Sequence, residues 1–384
     1  MKCELLALAV GILALGAYAG KFEPKWVSIF NQDPTNFTIT HGDEKMNAAG
    51  IREYLDGVIG HGAFTHFFIC PNAQTAIFDS KTMSPNWWRL TAQGKYQVKL
   101  DSDFLQSAVC PQRDYLLHTN GVDIVQVYIN GCRAKGVSPW LSMRMNDGHV
   151  PENPQWWGHS QFWVDHPEYR REGGFDFSHP EVRAYHLAFV RELLERYDVD
   201  GFECDWMRWP FRQRTEDLTE MMREIRKIVK TAAHRRGHTI LVGARVSSRP
   251  DAARAHAMDV VAWAKEGLVD VIVADECQFF TEEQIDQMRF LVDNDDLPIL
   301  CFGLRTDFRT KMFPGSRRLF ELADSITEIK TMCSCGSKAT VNARISPDGR
   351  VITSGQQIFL GGNDSYIAMC HKCYKRRIEE NKDI

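Results

Sequence analysis

Beyond its first twenty residues the sequence has no apolar run long enough to cross a bilayer, so no stable membrane anchor is expected. It also lacks a dominant charge. Lys and Arg number 46 against 50 Asp and Glu, a net charge of -4, which leaves no global field to recruit nucleic acid or an anionic surface. A phosphate-cradling G-x-x-x-x-G-K-[ST] loop is missing as well. The only Gly-Lys pairs are Gly20-Lys21, followed by Phe22, and Gly94-Lys95, followed by Tyr96. Without that loop these residues hold no recognisable cradle for a nucleoside triphosphate.

What is present begins with MKCELLALAVGILALGAYAG, which has one basic residue, an apolar run and a small-x-small site at Ala17-Tyr18-Ala19. That pattern predicts a secretory signal peptide over residues 1–19 and a secreted or periplasmic destination. With 384 residues, 44% of them hydrophobic, the chain can bury one large domain or two moderate ones. Six of the eleven cysteines (Cys70, Cys110, Cys132, Cys204, Cys277 and Cys301) stand singly in or near apolar segments and read as buried thiols.

From about residue 20 to 273 short apolar strands alternate with helical stretches. The expected strands are Val27–Phe30, Thr65–Ile69, Val137–Met143, Val199–Glu203, Thr239–Arg245 and Val269–Val273. Such alternation predicts an α/β unit on a parallel sheet, a (β/α) barrel-like region left incomplete. Several strands end in polar residues, at Asn31, Asp33, Arg144, Asp147, Glu203, Asp205 and Arg245, and barrel enzymes place their chemistry at that face.

In DVDGFECDWMRWPF, strand alternation puts Glu203 and Asp205 on one side, with Trp206, Arg208 and Trp209 close behind. Carboxylates among tryptophans suit a sugar: the rings stack on pyranose faces while an acid protonates the leaving oxygen. The competing reading has Asp205 capping the following turn and the tryptophans in the core. Asp205 and Glu203 are the acid/base candidates, Asp147 and Asp33 the guesses for a second carboxylate. Trp206, Trp209, Arg144 and Arg245 are the candidate binding residues. IFNQDPTNF, FDFSHPEVRAYHLAFVRELLERYDVDGFECDWMRWP and MDVVAWAKEGLVDVIV resemble the secreted glycoside-hydrolase-like barrel proteins. That resemblance implies a carbohydrate substrate and favours Asp205.

The remaining residues have a different character. Cys333-x-Cys335 and Cys370-x-x-Cys373 are two close-spaced pairs that could place four thiolates on one tetrahedral zinc; two disulfides are the alternative in an exported chain. DECQFF, GLRTDFRTKMF, the first cysteine pair, LGGNDSY and the second cysteine pair resemble, in that order, the C-terminal half of the zinc-containing thymidine kinases over residues 274–378, before a short tail at 379–384. The resemblance implies Glu276 as the base that accepts the thymidine 5'-hydroxyl proton. It implies Phe308 and Phe313 flanking the thymine ring, and Gly361, Gly362 and Tyr366 in a lasso loop anchored by a structural zinc. It also implies ATP and magnesium as cofactors of a working kinase and a cytoplasmic location.

Three readings therefore stay open. The chain is a thymidine kinase-like transferase, or an exported carbohydrate-active barrel, or a join of two unrelated genes at a shared apolar strand that catalyses neither reaction. The partner is a small molecule in the first two, thymidine or a carbohydrate, with no nucleic acid in any.

Overall fold

The computed structural model describes residues 10–14, 28–61, 64–97, 108–209, 213–246, 257–328, 331–357 and 365–380. The chain divides into two compact units, one of Val27–Ile272 and one of Met1–Trp26 with Val273–Ile384.

The unit of Val27–Ile272 is built on a parallel sheet. Strand β1 (Ile29–Gln32) pairs with β2 (His66–Ile69), β2 with β3 (Ser138–Arg144), β3 with β4 (Gly201–Asp205), and β4 with β5 (Leu241–Val246), each pair parallel. Strand β1 lies at the sheet's edge, so this curled sheet is a half-barrel rather than a closed one. Strands β3 and β4 are buried at nearly every position, their polar residues included, as expected of a parallel sheet covered on both faces. Helices α1 (Ala48–His61) and α2 (Ile124–Ala134) pack together, as do α3 (Pro180–Arg196) and α4 (Thr215–Arg236).

Local chemistry sets the helix ends. The Asp123 carboxylate accepts from the Gln126 amide at 3.1 Å to cap α2, and Pro180 opens α3, where its missing N–H costs nothing. Gly237 ends α4 at φ 76°, a left-handed turn that glycine adopts without strain, behind a basic last turn of His234, Arg235 and Arg236. The core is aromatic. Trp140 stacks on Phe68 at 4.9 Å, and both are buried.

In the other unit, strand β7 (Ile299–Cys301) follows β6 (Val271–Ala274), which spans the division between the units. Residues Val10–Ala14, inside the expected signal peptide, form a strand paired antiparallel with β7 and with β8 (Ser325–Glu328). The rest of residues 1–19 lie outside the described residues. Helix α5 (Glu282–Asp295) starts in a capping box, with Thr281 and Gln284 satisfying each other's backbone amides. Helix α6 (Pro314–Leu322) packs beside it.

A small cysteine-rich layer completes the unit. The hairpin β9 (Thr331–Met332) and β10 (Lys338–Ala339) carries Cys333 and Cys335 in its turn. Strand β11 (Val341–Arg344) pairs antiparallel with β12 (Tyr366–Met369), which delivers Cys370 to the start of α7 (His371–Glu380), where Cys373 lies. Cys333, Ala339, Val341, Ala343, Val351, Met369, Cys370 and Tyr374 form its buried cluster.

Candidate functional site

Glu276 stands just beyond β6, at the head of the 3-10 turn Cys277–Phe279, with φ 54° and ψ 34°. A non-glycine residue in that left-handed region is strained, so its surroundings must hold it there. The Cys277 amide donates to the Phe302 carbonyl at 2.8 Å, and the Leu304 amide donates to Gln278 Oε1 at 2.9 Å. The Gln278 amide in turn donates to the Glu276 carboxylate. Gly315 lets α6 close on this turn, since a Cβ there would stand 2.8 Å from the Phe280 carbonyl oxygen. The residue as a whole is exposed, yet its carboxyl lies against enough protein that desolvation raises its pKa. The Gln278 hydrogen bond opposes that rise and the neighbouring Asp275 adds to it.

Beside the turn is a cleft of about 410 Å³ lined by Gln278, Phe279, Phe280, Phe313, Pro314 and Gln357, among others. Phe313 meets Phe279 edge to face at 5.7 Å. Phe308, the other expected flanking ring, lies in the interior instead, 2% exposed. The Arg344 guanidinium sits 4.0 Å from its ring centre, and the Tyr374 hydroxyl donates to its carbonyl at 2.7 Å. Arg344 is itself buried and donates to the Tyr366 hydroxyl at 2.9 Å and to the carbonyls of Gln356 and Gln357. The Gln357 amide reaches Asp307 at 3.1 Å. Phe308 and Tyr366 thus share one arginine, while Phe313 belongs to the cleft. Gly361 and Gly362 lie outside the described residues. Arg344, Asp307, Gln357 and Gln278 escaped sequence reasoning. A lone arginine in a short apolar strand carries no local sign of its partners.

The four cysteines of the two pairs converge, their sulfurs all within 4.8 Å of one another, and could hold a metal ion. Cys335 and Cys370 are 3.7 Å apart, sulfur to sulfur, and all four are free thiols, not two disulfides. Their protons are shared unevenly. Ser337 hydrogen bonds lower the Cys335 thiol to about 6, while Cys370 and Cys335 push Cys373 up to about 12.

The parallel unit gathers its charges at the C-terminal ends of the strands. Glu203 is wholly buried and clasped by Arg245, Nε to Oε1 at 3.2 Å and Nη2 to Oε2 at 3.1 Å, with Ser142 Oγ donating at 2.5 Å. Burial raises its pKa, against the pull of Arg245. Asp205 Oδ1 accepts from the Met207 and Arg208 amides at 3.1 and 3.2 Å, the capping arrangement weighed against catalysis above. Trp206 is 4% exposed and packs against Phe177 and Trp263, so it offers no open face for a sugar. Trp209 is only partly buried. Arg144 is buried and joins Asp33 at 2.6 Å to Asp147 at 3.4 Å. Burial would raise the pKa of Asp33, but Arg144 and the Thr35 hydrogen bonds outweigh it and lower it. The structure therefore brings Asp33, Arg144 and Asp147 together and pairs Glu203 with Arg245. It sends Trp206 inward.

Comparison with known proteins bears on the second half of the chain. A family model described as thymidine kinase matches residues 213–374, starting well upstream of residue 274, where the sequence motifs of that resemblance begin. The thymidine kinase of Photobacterium profundum is 39% identical over 163 residues, covering 41% of this chain and 84% of that one. Those of Yersinia pseudotuberculosis and Legionella pneumophila are 45% and 48% identical over 111 and 105 residues, 29% and 27% of this chain. The chain spans only 57% and 50% of their lengths. Among solved structures, a cell-surface chitinase of a Paenibacillus species is similar at a TM-score of 0.36 and 12% identity, over 67% of this chain and 25% of that one. The catalytic module of a pneumococcal glycogen-degrading protein gives 0.36 and 14%, over 69% and 38%. Scores that low carry neither fold nor activity across. The match to the Photobacterium enzyme does settle the family, and on it this chain belongs to the thymidine kinase family.

Proposed function

We propose that the Val273–Ile384 unit binds thymidine in the cleft beside Glu276, as a thymidine kinase-like unit. The strained Glu276 turn carries this reading: a carboxylate is held at a strand end, and Gln278 links it to a cleft walled by Phe279 and Phe313. A base at that position can take a hydroxyl proton, and a flat base edge suits the aromatic walls. Phosphoryl transfer needs more, because nearly all of its catalysis is positioning and charge stabilisation around the phosphates. These 384 residues contain no phosphate-loop motif. The two ligands should therefore separate in calorimetry: thymidine binds weakly and magnesium-ATP gives no heat. No thymidine heat would overturn this reading, whereas thymidine monophosphate formation that vanishes in Glu276→Gln would show that another segment supplies the phosphate site.

The four thiols fit zinc. A tetrahedron with zinc–sulfur bonds of about 2.3 Å has sulfur–sulfur edges of roughly 3.8 Å, close to the Cys335–Cys370 spacing of 3.7 Å. Bound there, zinc supplies a structural cross-link between the β9–β10 turn and the start of α7.

A second reading, an exported carbohydrate-active parallel unit, is favoured by one observation, the charged cluster at the strand ends. In it Asp205 keeps Oδ2 available for proton transfer. Asp205→Asn should abolish hydrolysis of any responsive glycoside without changing the thermal midpoint, because an amide cannot donate the required proton. An active variant removes Asp205 from the chemistry. Export itself would be read from a mature N-terminus at Gly20.

A further inference from the structure

Two glutamine side chains line the cleft beside Glu276, and the fold commits them differently. Gln278 is used at both ends: its Nε2 donates to the Glu276 carboxylate, and its Oε1 accepts from the Leu304 amide at 2.9 Å. Gln357 is used at one end. Its Nε2 donates to Asp307 Oδ2 at 3.1 Å, while its Oε1 has no hydrogen-bond partner among the described residues. Arg344 holds the Gln357 carbonyl at 3.2 Å, so the backbone of this wall is tied down as well.

Asp307 decides which way that amide faces. Its side chain is wholly buried and meets only donors. Oδ1 accepts from the Arg309 and Lys311 amides, both at 2.9 Å, and Oδ2 from Arg309 Nε and Nη2 at 3.1 and 2.9 Å. Turning the Gln357 amide over would set its carbonyl oxygen against Oδ2, two acceptors with no proton between them. The amide is therefore locked, and its oxygen is the end left for a ligand. Such an acceptor favours a ligand N–H and penalises a ligand that brings an acceptor or a methyl group to the same point.

We propose that Gln357 is the specificity-determining residue of this cleft: its Oε1 accepts from the N3–H of the thymine ring, and Asp307 is the positioning residue that keeps the acceptor forward. This rests on the thymidine reading of the Val273–Ile384 unit and adds the group that selects the base. Gln278 cannot take the role, because both ends of its amide are engaged. Thymine carries a donor at N3 between two carbonyls, whereas cytosine carries an acceptor there. A fixed oxygen separates the two; a freely turning amide would serve both.

Calorimetry on the full chain with thymidine, N3-methylthymidine and 2'-deoxycytidine tests this. The unaltered protein should bind thymidine and discriminate against the other two. Gln357→Ala should weaken thymidine by up to roughly tenfold, the worth of one neutral hydrogen bond. N3-methylthymidine should gain in the same variant, its methyl group entering the space the amide vacates. Asp307→Asn, whose amide can accept as well as donate, frees Gln357 to turn its Nε2 toward the ligand. Thymidine should then lose ground and 2'-deoxycytidine gain, a change of preference that a purely structural contact would not produce. If that variant does not fold, Gln357→Ala decides alone. A Gln357→Ala protein that still prefers thymidine over N3-methylthymidine by the original factor places N3 elsewhere and overturns the assignment. A folded Asp307→Asn with its base preference unchanged removes the lock. No thymidine heat in the unaltered protein removes the thymidine reading itself, a failure distinct from the other two.

Discussion

At position 205 one side chain answers two descriptions. An acid at a strand end is legible from sequence, and the chain places Asp205 there, on the C-terminal residue of β4. Its capping of the Met207 and Arg208 amides is not legible, since turn geometry depends on packing around it. Trp206 shows the same limit. Its burial is decided by Phe177 and Trp263, residues far away in sequence. Asp114 gives the sharpest test at this scale. It is 1% exposed, Asn86 donates to Oδ2 at 2.6 Å, and Oδ1 has no partner. Burial raises its pKa to about 8, against the Asn86 hydrogen bond. The folded value lies above the unfolded one of about 3.9, so the folded state holds the proton more tightly. Stability from this group is therefore full below pH 4 and is lost as pH rises to 8, by at most about 1.4 kcal/mol per pH unit. Asp114→Asn should flatten the fall in urea midpoint between pH 5 and 8. Curves for variant and wild type that run parallel would refute the assignment.

At the scale of elements the reading was largely recoverable. Five expected strands of the parallel unit coincide with β1 to β5 to within about two residues at each end, because most carry buried apolar residues, such as Phe68, Leu141, Phe202 and Val242, that mark them in the sequence. Boundaries slipped for a physical reason. Val199 is as buried as the strand it precedes, but the ladder starts only at Gly201, opposite Trp140 and Leu241. That glycine is where the element is most sensitive. A Cβ at Gly201 would overlap the Trp140 indole, whose opposite face is held by Phe68. Gly201→Ala should cost about 1–3 kcal/mol, the usual penalty of overpacking, measured by chemical denaturation. A neutral outcome would mean that Trp140 has room to move. The strand at Val10–Ala14 was not legible, since an apolar run behind a basic residue reads first as an export signal.

For the whole molecule, family membership was written in ordered motifs, and its extent was not. DECQFF, GLRTDFRTKMF and the cysteine pairs mark the residues from 274 onward, whereas the family model reaches back to 213, where no short motif announces it. The cysteines supply the prediction at this scale. Four thiolates that could share one ion join the β9–β10 turn to the start of α7, and a cluster as small as that layer's buries little apolar surface. Purified protein should carry about one zinc per chain. A chelator should lower the thermal midpoint of the Val273–Ile384 unit, and Cys373→Ser should reproduce the effect. Half-cystines at these four positions by mass mapping would replace zinc with disulfides.

Strand β12 has a consequence that reaches past stability. It starts at Tyr366, whose hydroxyl Arg344 holds, and ends one residue before Cys370. Arg344 also fixes the Gln357 carbonyl, and Gln357 lines the cleft beside Glu276. On the proposed readings metal and nucleoside act on opposite ends of the same four residues, and thermodynamic reciprocity binds the two. Whatever factor zinc adds to the affinity for thymidine, thymidine must add to the affinity for zinc. Nucleoside in solution should slow the loss of metal to a chelator, a coupling measurable without any turnover.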